Sequence, residues 1–167
     1  AAAMAKQFKA LNFPALMIGV CDPLCVPAAW KATRGAVQGM VGIVMGAGHM
    51  PVKQIPRSVE FYNNYLKKYG EPVGLTLGAA EAYDSVYVMV NALERAGSLD
   101  PDKIIMAIEA TDLSGAMGKI KFNPKDHAAI WGSDPAQAGV QVLFQWIDGN
   151  RVPVFPNSVA EAKIKLR

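Results

Sequence analysis

The fold of this chain is decided by its residues 80–104, AEAYDSVYVMVNALERAGSLDPDKI. The apolar spacing predicts a long helix from about Ala79 to Ala96, which Gly97 ends. Asp100-Pro101 then begins a second helix, because Asp caps and Pro fits the first helical position. The buried faces predicted for the two helices consist of Tyr83, Val86, Tyr87, Val90 and Leu93, and of Ile104, Ile105 and Ile108. The acidic side chains Glu81 and Asp84 are predicted to lie on a solvated face.

Upstream of this stretch, helical segments alternate with short apolar runs. Ala15–Val20 and Met40–Met45 have the length and composition of buried strands. Helices are predicted for Ala1–Leu11, for about Leu24–Thr33 and for Arg57–Tyr69. This alternation is typical of a parallel sheet with helices on its faces.

Downstream, the pattern changes to that of antiparallel hairpins. Val140–Ile147 alternates as a strand, Asp148-Gly149 is a hairpin-turn signal, and Val152–Phe155 is the predicted return strand. Lys119–Phe122 is predicted to be a short strand, and Ser158–Arg167 a short helix. The two patterns together indicate segments of two sheets, or an α/β sheet with an antiparallel edge.

The composition excludes several classes of protein. With 167 residues, 51% of them hydrophobic and 19% charged, the chain has the size and composition of one globular domain. The net charge of +3 is scattered, so no basic footprint for nucleic acid is present. No apolar run has the length of a membrane helix. Cys21 and Cys25 do not make a disulfide framework, and buried structural cysteines are favoured over a metal site because no compact ligand set surrounds them.

Several motifs occur in a specific order along nearly the whole chain. They are Met17-Ile18-Gly19, the Gly-x-x-x-Gly run Gly35–Gly39, the aromatic helix Phe61–Gly70, Tyr83-Asp84-Ser85-Val86 with Ala96-Gly97-Ser98, and the turn and strand Leu113–Phe122. Their order and spacing resemble the C-terminal half of a type I periplasmic solute-binding protein of the branched-chain amino-acid ABC transporter family.

This resemblance implies an α/β fold with two lobes joined by crossover strands and a ligand between them. In this chain it implies a partial two-lobe fragment, with a parallel sheet flanked by helices and an antiparallel hairpin near the C-terminus. Residues 1–73 are expected to form part of the second lobe, and residues 74–167 the crossover and a return segment of the first lobe. A fragment exposes the surface that packs on its missing half, so self-association is also expected.

The predicted ligand contacts are Cys21, Asp22, Pro23, His49 and Tyr83. Open α/β sheets bind ligands beyond the carboxyl ends of their strands, and the Cys21-Asp22-Pro23 loop follows such a strand. The resemblance implies an acidic ligand contact near Cys21 or Asp22, which would pair with a ligand ammonium. If Cys21 occupies the acid position, an amino-acid ligand is put in doubt.

Each of these predictions has a structural alternative. Asp22 could instead cap the following helix, with Pro23 at its first position. His49 could be a solvated loop residue, and Tyr83 could pack in the core with Val86, Tyr87 and Val90.

The resemblance implies a binding protein and no enzyme. It implies the extracytoplasmic solute-binding component of an ABC importer, periplasmic or tethered as a lipoprotein, whose partners are a small molecule and a membrane permease. No nucleophile elbow, phosphate loop or cofactor motif is visible, so no catalytic residue or cofactor is predicted. The alternatives are a ligand-sensing receptor domain of the same fold and an α/β enzyme.

Overall fold

The structure is a computed structural model that describes residues 1–166. The helices are α1 (Ala2–Ala10), α2 (Asp22–Cys25), α3 (Ala29–Thr33), α4 (Pro56–Tyr69), α5 (Ala79–Ala96) and α6 (Pro101–Glu109), with a short 3-10 helix at Ala47–His49. The strands are β1 (Val41–Val44), β2 (Leu113–Gly115), β3 (Gly118–Ile120), β4 (Val142–Ile147) and β5 (Asn150–Phe155). Within the described part of the chain, no helix is both long and apolar enough to span a membrane.

The larger sheet has the strand order β1-β4-β5, and both pairings are antiparallel. The predicted hairpin between β4 and β5 is confirmed, with Asp148 and Gly149 at φ of 49° and 84°. A two-residue turn of this kind needs positive φ at both positions, for which Asp-Gly is well suited. The smaller sheet is the hairpin of β2 and β3.

Parallel pairing between the predicted strands 15–20 and 40–45 is reduced to one bridge. Ile18 makes a single parallel bridge with Val41, held by hydrogen bonds from Val41 N to Met17 O (2.9 Å) and from Gly19 N to Val41 O (3.2 Å). The prediction of a buried strand at 15–20 was wrong, because Ile18 is 62% exposed and Val20 is 75% exposed. No further strand of residues 1–166 packs on this edge of the sheet.

The main core lies between the larger sheet and the helices α2 and α3. Val140, Val142, Phe144 and Trp146, which share one face of the predicted strand 140–147, are all at most 1% exposed. These side chains pack in one cluster with Leu24. A second, smaller cluster joins α4, α5 and the β2–β3 turn.

Gly42 in β1 shows how tightly this core is packed. A Cβ at Gly42 would lie 2.6 Å from Cys25 Sγ and 2.7 Å from Phe144 Cζ. We therefore expect Gly42→Ala to lower the free energy of unfolding by roughly 1–3 kcal/mol, as overpacked cores do. Urea unfolding measures this, with Gly74→Ala as the control because nothing lies within 4 Å of its added Cβ. Equal midpoints for the two variants would contradict the prediction.

Two predicted helices differ from the structure. The helix predicted at 24–33 is divided into α2 and α3, because Pro27 lies in the connection between them and cannot continue a helix. The tail predicted as a helix contains turns and bends over residues 158–166, and Arg167 lies outside the described residues. The long helix α5 has the predicted bounds, and Gly97 ends it at φ 56°.

The buried face of α5 was predicted wrongly. The buried residues are Ala80, Asp84, Val88 and Ala92. Val86 and Val90 are 62% and 49% exposed, and α6 has no buried residue at all. The periodicity correctly identified an apolar stripe, but within residues 1–166 only Tyr83 and Leu93 of it are half-buried, whereas Val86, Tyr87 and Val90 are exposed.

The predicted division into parts of two lobes, 1–73 and 74–167, stays a prediction. The sheet pairing nevertheless places the β4–β5 hairpin beside β1 rather than beside the segment 74–139. The core cluster likewise combines residues 5–55 with residues 140–159. The hairpin therefore packs with the N-terminal segment, whereas the division predicts that it packs apart from it.

Candidate ligand-binding site

The Cys21-Asp22-Pro23 loop lies where the sequence places it, after the segment that pairs in parallel with β1. Cys21 is the N-cap residue of α2, and its side chain makes no capping hydrogen bond. Asp22 is already the first helical residue, so the alternative that Asp22 caps the helix is wrong. Asp22 and Pro23 are both exposed, and Cys21 is half-buried. The carboxylate is consequently open to solvent, just after the segment that bridges to β1.

The partner of this carboxylate is Thr76, a residue that the sequence did not single out. Thr76 Oγ1 donates a hydrogen bond to Asp22 Oδ1, and Thr76 O accepts from Met45 N at 2.8 Å. Thr76 itself is 3% exposed, whereas its neighbours Leu75 and Leu77 are 59% and 53% exposed. The loop therefore presents a carboxylate next to a stretch with two exposed leucines. Such a combination suits a ligand with a cationic group and an apolar body.

His49 is completely buried, so the alternative of a solvated loop histidine is wrong. Its Nδ1 lies 3.0 Å from Gly46 O and its Nε2 3.2 Å from Ala79 N. A carbonyl can only accept, so Nδ1 donates to Gly46 O, while Nε2 faces the Ala79 N–H and also lies 3.3 Å from Glu81 Oε2. His49 thereby satisfies a free N–H at the start of α5. The ring presents no accessible nitrogen to a ligand.

Tyr83 lies on the half-buried side of α5. Its ring packs against Phe61 of α4 with centroids 4.8 Å apart, and its hydroxyl lies 3.3 Å from that of Tyr87. The hydrogen bond with Tyr87, together with burial, raises the pKa of Tyr83 to about 12. Of the partners in the core alternative, Tyr87 packs against Tyr83 with ring centroids 5.0 Å apart, whereas Val86 and Val90 are exposed and Phe61 is a partner that was not predicted. No contact of Tyr83 with Asp22 or Thr76 occurs among the described side chains.

Arg151 holds backbone next to the Cys21-Asp22-Pro23 segment, a role that the sequence analysis did not predict. Its guanidinium donates to Cys25 O at 3.1 Å and to His49 O at 3.0 Å. It therefore ties the end of α2 to the end of the 3-10 helix, whose last carbonyls would otherwise lack donors. Burial lowers the pKa of this guanidinium. A single arginine in a hairpin strand gives no sequence signal for such a role.

The two cysteines are free thiols. Burial raises the pKa of the Cys25 thiol, which keeps it protonated and unreactive. No group of three or more His, Cys, Asp or Glu side chains in the described chain is placed to hold a metal ion.

Comparisons with known proteins agree with this architecture. Residues 1–139 match a family model described as periplasmic binding protein. A structure from Silicibacter pomeroyi described as a branched-chain amino acid ABC transporter is 17% identical, with a TM-score of 0.80 over 99% of this chain and 43% of that one. A leucine-binding protein from Thermotoga maritima is 24% identical, with a TM-score of 0.66 over 92% of this chain and 40% of that one.

A solute-binding protein of an R. palustris ABC transporter, solved in complex with benzoate, is 14% identical. Its TM-score is 0.64, over 97% of this chain and 43% of that one. The chain thus spans less than half the length of each of these three structures. At these identities the likeness shows the fold alone. No curated protein matches the chain.

The predicted type I periplasmic-binding fold is therefore confirmed as a fragment of that fold. Since the family model covers 139 of the 167 residues, this chain belongs to the periplasmic binding protein family.

Proposed function

We propose that this chain is part of the extracytoplasmic solute-binding component of an ABC importer. The exposed Asp22 carboxylate, held by Thr76 beside two exposed leucines, is the observation that carries the proposal. One of its oxygens accepts from Thr76, and the other is left to pair with a cationic group of a small ligand. A charge-assisted contact of this kind is stronger than one between neutral groups.

Capture of the ligand would proceed by closure of two lobes around it. Asp22 lies in the N-terminal segment and Thr76 in the stretch that leads into α5, so the hydrogen bond between them joins two segments that are 54 residues apart in the chain. A ligand that contacts both parts shifts the hinge equilibrium toward the closed form. We propose that the closed form then docks on a membrane permease.

The other predicted ligand contacts, together with Arg151, are proposed to contribute to this site in different ways. Cys21 and Pro23 flank Asp22 in the chain. They are proposed to set the shape of the surface through which a ligand reaches the Asp22 carboxylate. His49 and Arg151 are proposed to act indirectly, because both fix backbone that surrounds the loop. Tyr83 is proposed to hold α5 against α4, one turn from the start of the helix.

The ligand class is proposed from the site and from its relatives. The names of two similar proteins mention leucine and benzoate, a zwitterion and a plain carboxylate. A carboxylate in the loop favours the first class, because Asp22 would repel an anionic ligand and attract an ammonium. The proposed ligand is therefore a small apolar amine or amino acid.

Replacing Asp22 by Asn tests this assignment. We expect the affinity for amino acids in the full-length protein that contains this chain to fall by about 10- to 100-fold, the scale of one charge-assisted hydrogen bond. A thermal-shift panel of amino acids, amides and aromatic carboxylates measures it, because a bound ligand raises the melting temperature by mass action. Asp102→Asn is the matched control, since Asp102 is exposed in the first turn of α6, far along the chain from the loop.

Two outcomes would contradict the proposal. A panel without any thermal shift would count against ligand capture, and a shift that Asp22→Asn leaves unchanged would remove Asp22 from the site.

A further inference from the structure

The two cysteines lie on one turn of helix, in the segment that carries Asp22. Cys21 is the N-cap residue of α2 and Cys25 is its last residue. Cys21 O accepts hydrogen bonds from Leu24 N at 2.8 Å and from Cys25 N at 3.0 Å. A hydrogen bond of the second kind, between residues four apart, holds their Cα atoms about 6 Å apart. Disulfides span about 4.4–6.8 Å between Cα atoms, so the backbone spacing suits one.

The backbone of Cys21 favours a closer approach of the two side chains than a regular helix allows. In a regular helix, Cβ atoms four residues apart are separated by about 5–6 Å, which exceeds the roughly 3.5–4.5 Å of a disulfide. Cys21 departs from that geometry, because its backbone is extended, with φ −150° and ψ 93°. A side chain at an N-cap folds over the first turn of its helix. The Cys21 side chain makes no capping hydrogen bond that would compete with such a contact.

The Cys25 thiol is directed back toward Cys21. Burial raises the pKa of this thiol, and hydrogen bonds to it from the backbone N–H groups of Cys21 and Ile43 oppose the shift. Cys21 also packs against the core cluster that contains Cys25. Cys25 is 1% exposed and lies against Gly42 of β1, so its position is set by residues of this chain. The proximity of the pair therefore does not depend on the part of the protein outside this chain.

We propose that Cys21 and Cys25 are a thiol pair that the fold holds ready for oxidation to an intramolecular disulfide. Such a bond persists in the oxidising compartment in which an extracytoplasmic binding protein works, and for this compartment the inference rests on the proposed function. The disulfide would fix the backbone on both sides of Asp22. It would also remove the Cys21 thiol from the surface that a ligand reaches.

The oxidation needs a disulfide of the glutathione type as its oxidant. The Cys21 thiolate attacks one sulfur of this oxidant, and the other sulfur leaves as a thiolate. The Cys25 thiol then loses its proton and attacks the sulfur of Cys21, which breaks the mixed disulfide and releases the second glutathione thiol. Two electrons and two protons thus pass from the cysteines to the oxidant. Cys21 takes the first step because it is half-buried, whereas Cys25 is inaccessible.

The test is refolding of the full-length protein that contains this chain, from urea, in a mixture of reduced and oxidised glutathione. Free thiols are then trapped with iodoacetamide, and the protein is digested with trypsin and analysed by mass spectrometry. Both cysteines lie on a single tryptic peptide, residues 10–31, because no lysine or arginine lies between Lys9 and Lys31. A sample kept in urea is the control for an unfolded chain, and Cys21→Ser and Cys25→Ser are the single-thiol controls.

We expect most of this peptide from the refolded protein to carry neither an alkyl group nor glutathione, and to be lighter than the dithiol peptide by two hydrogen atoms. From urea, most of the same peptide should carry alkyl groups or glutathione, because the helix that holds the pair is absent. Each serine variant should leave its remaining cysteine alkylated or joined to glutathione.

Three outcomes would overturn this inference. They are a refolded peptide that carries two alkyl groups or glutathione, a link from either cysteine to another peptide, and an equal yield of the intramolecular disulfide in urea. The last would show that the folded geometry contributes nothing. None of them bears on the amino-acid affinity of Asp22→Asn, which tests the proposed function separately.

Discussion

Trp146→Ala is expected to lower the free energy of unfolding by about 3–5 kcal/mol, which is a large part of the stability of a domain this size. Trp146 is 1% exposed and lies at the centre of the main core. Its ring meets Phe144 at 5.9 Å in an edge-to-face arrangement and Trp30 at 6.0 Å. Its removal leaves a cavity that these neighbours cannot fill without moving.

A hydrogen bond adds to this packing contribution. Trp146 Nε1 donates to Leu24 O at 2.9 Å, which links β4 to α2 and so to the loop that carries Asp22. Trp146→Phe keeps much of the ring but leaves that buried carbonyl without its donor. We expect this variant to lose about 1–3 kcal/mol, less than the alanine variant.

Urea unfolding of the three proteins checks both values. Trp131→Ala is the control for the loss of an indole, because Trp131 is 42% exposed and so buries less of its surface than Trp146 does. A Trp146→Ala protein that unfolds at the same urea concentration as Trp131→Ala would show that the core does not depend on this side chain.

The elements that could be predicted from sequence are those with strong local signals. α5 begins and ends at Ala79 and Ala96 as predicted, since a long apolar period precedes a glycine with positive φ. The β4–β5 hairpin is present because strict alternation flanks Asp148-Gly149. In both cases the local chemistry and the tertiary packing favour the same conformation.

Burial was predicted less accurately than the positions of helices and strands, because burial depends on what packs opposite an element. Val86 and Val90 share an apolar face of α5, yet both remain exposed within these residues. The 15–20 segment has the composition of a buried strand, but it has a neighbour on one side only. A chain that spans less than half of its structural relatives contains apolar faces whose partners are not in its sequence.

For the candidate site, the sequence carries signals only where a family pattern exists. The Cys21-Asp22-Pro23 contact was predicted from the resemblance and from its position after an apolar run, and it stays a prediction. Thr76 and Arg151 were not found, because their roles arise from contacts with residues 54 and 102 to 126 positions away. His49 was predicted as a ligand contact or a solvated loop residue, since a histidine after two glycines has no burial signal in sequence, but it is buried and accepts from Ala79 N at the start of α5.

The burial of Asp84 likewise depends on contacts far away in the chain. It was predicted to lie on a solvated face, but it is 1% exposed. Its carboxylate accepts from Ala116 N at 2.9 Å and from Met117 N at 3.1 Å. Asp84 therefore clamps the β2–β3 turn onto α5. It also explains Gly115, where a Cβ would overlap Asp84 Oδ2.

Asp84→Ala should lower the free energy of unfolding by roughly 2–4 kcal/mol, because two backbone donors at the turn lose their acceptor. The relief of a buried charge offsets a part of this loss. Asp84→Asn keeps one acceptor but turns an NH2 group toward the other donor, so its cost should be smaller and still measurable. Asp102→Ala, at an exposed position, is the control and should change stability by less than about 0.5 kcal/mol.

The pH dependence separates the charge from the hydrogen bonds. Burial raises the pKa of Asp84 above its ordinary value, although the two backbone hydrogen bonds oppose this. The folded protein thus holds this proton more tightly than the unfolded chain does. The stability of the wild type relative to Asp84→Asn should therefore be greatest at acid pH, and should fall as the pH rises from the ordinary pKa through the raised one. Urea unfolding of both proteins across this range measures the difference, and a difference that grows with pH would show that the folded state favours the charged carboxylate.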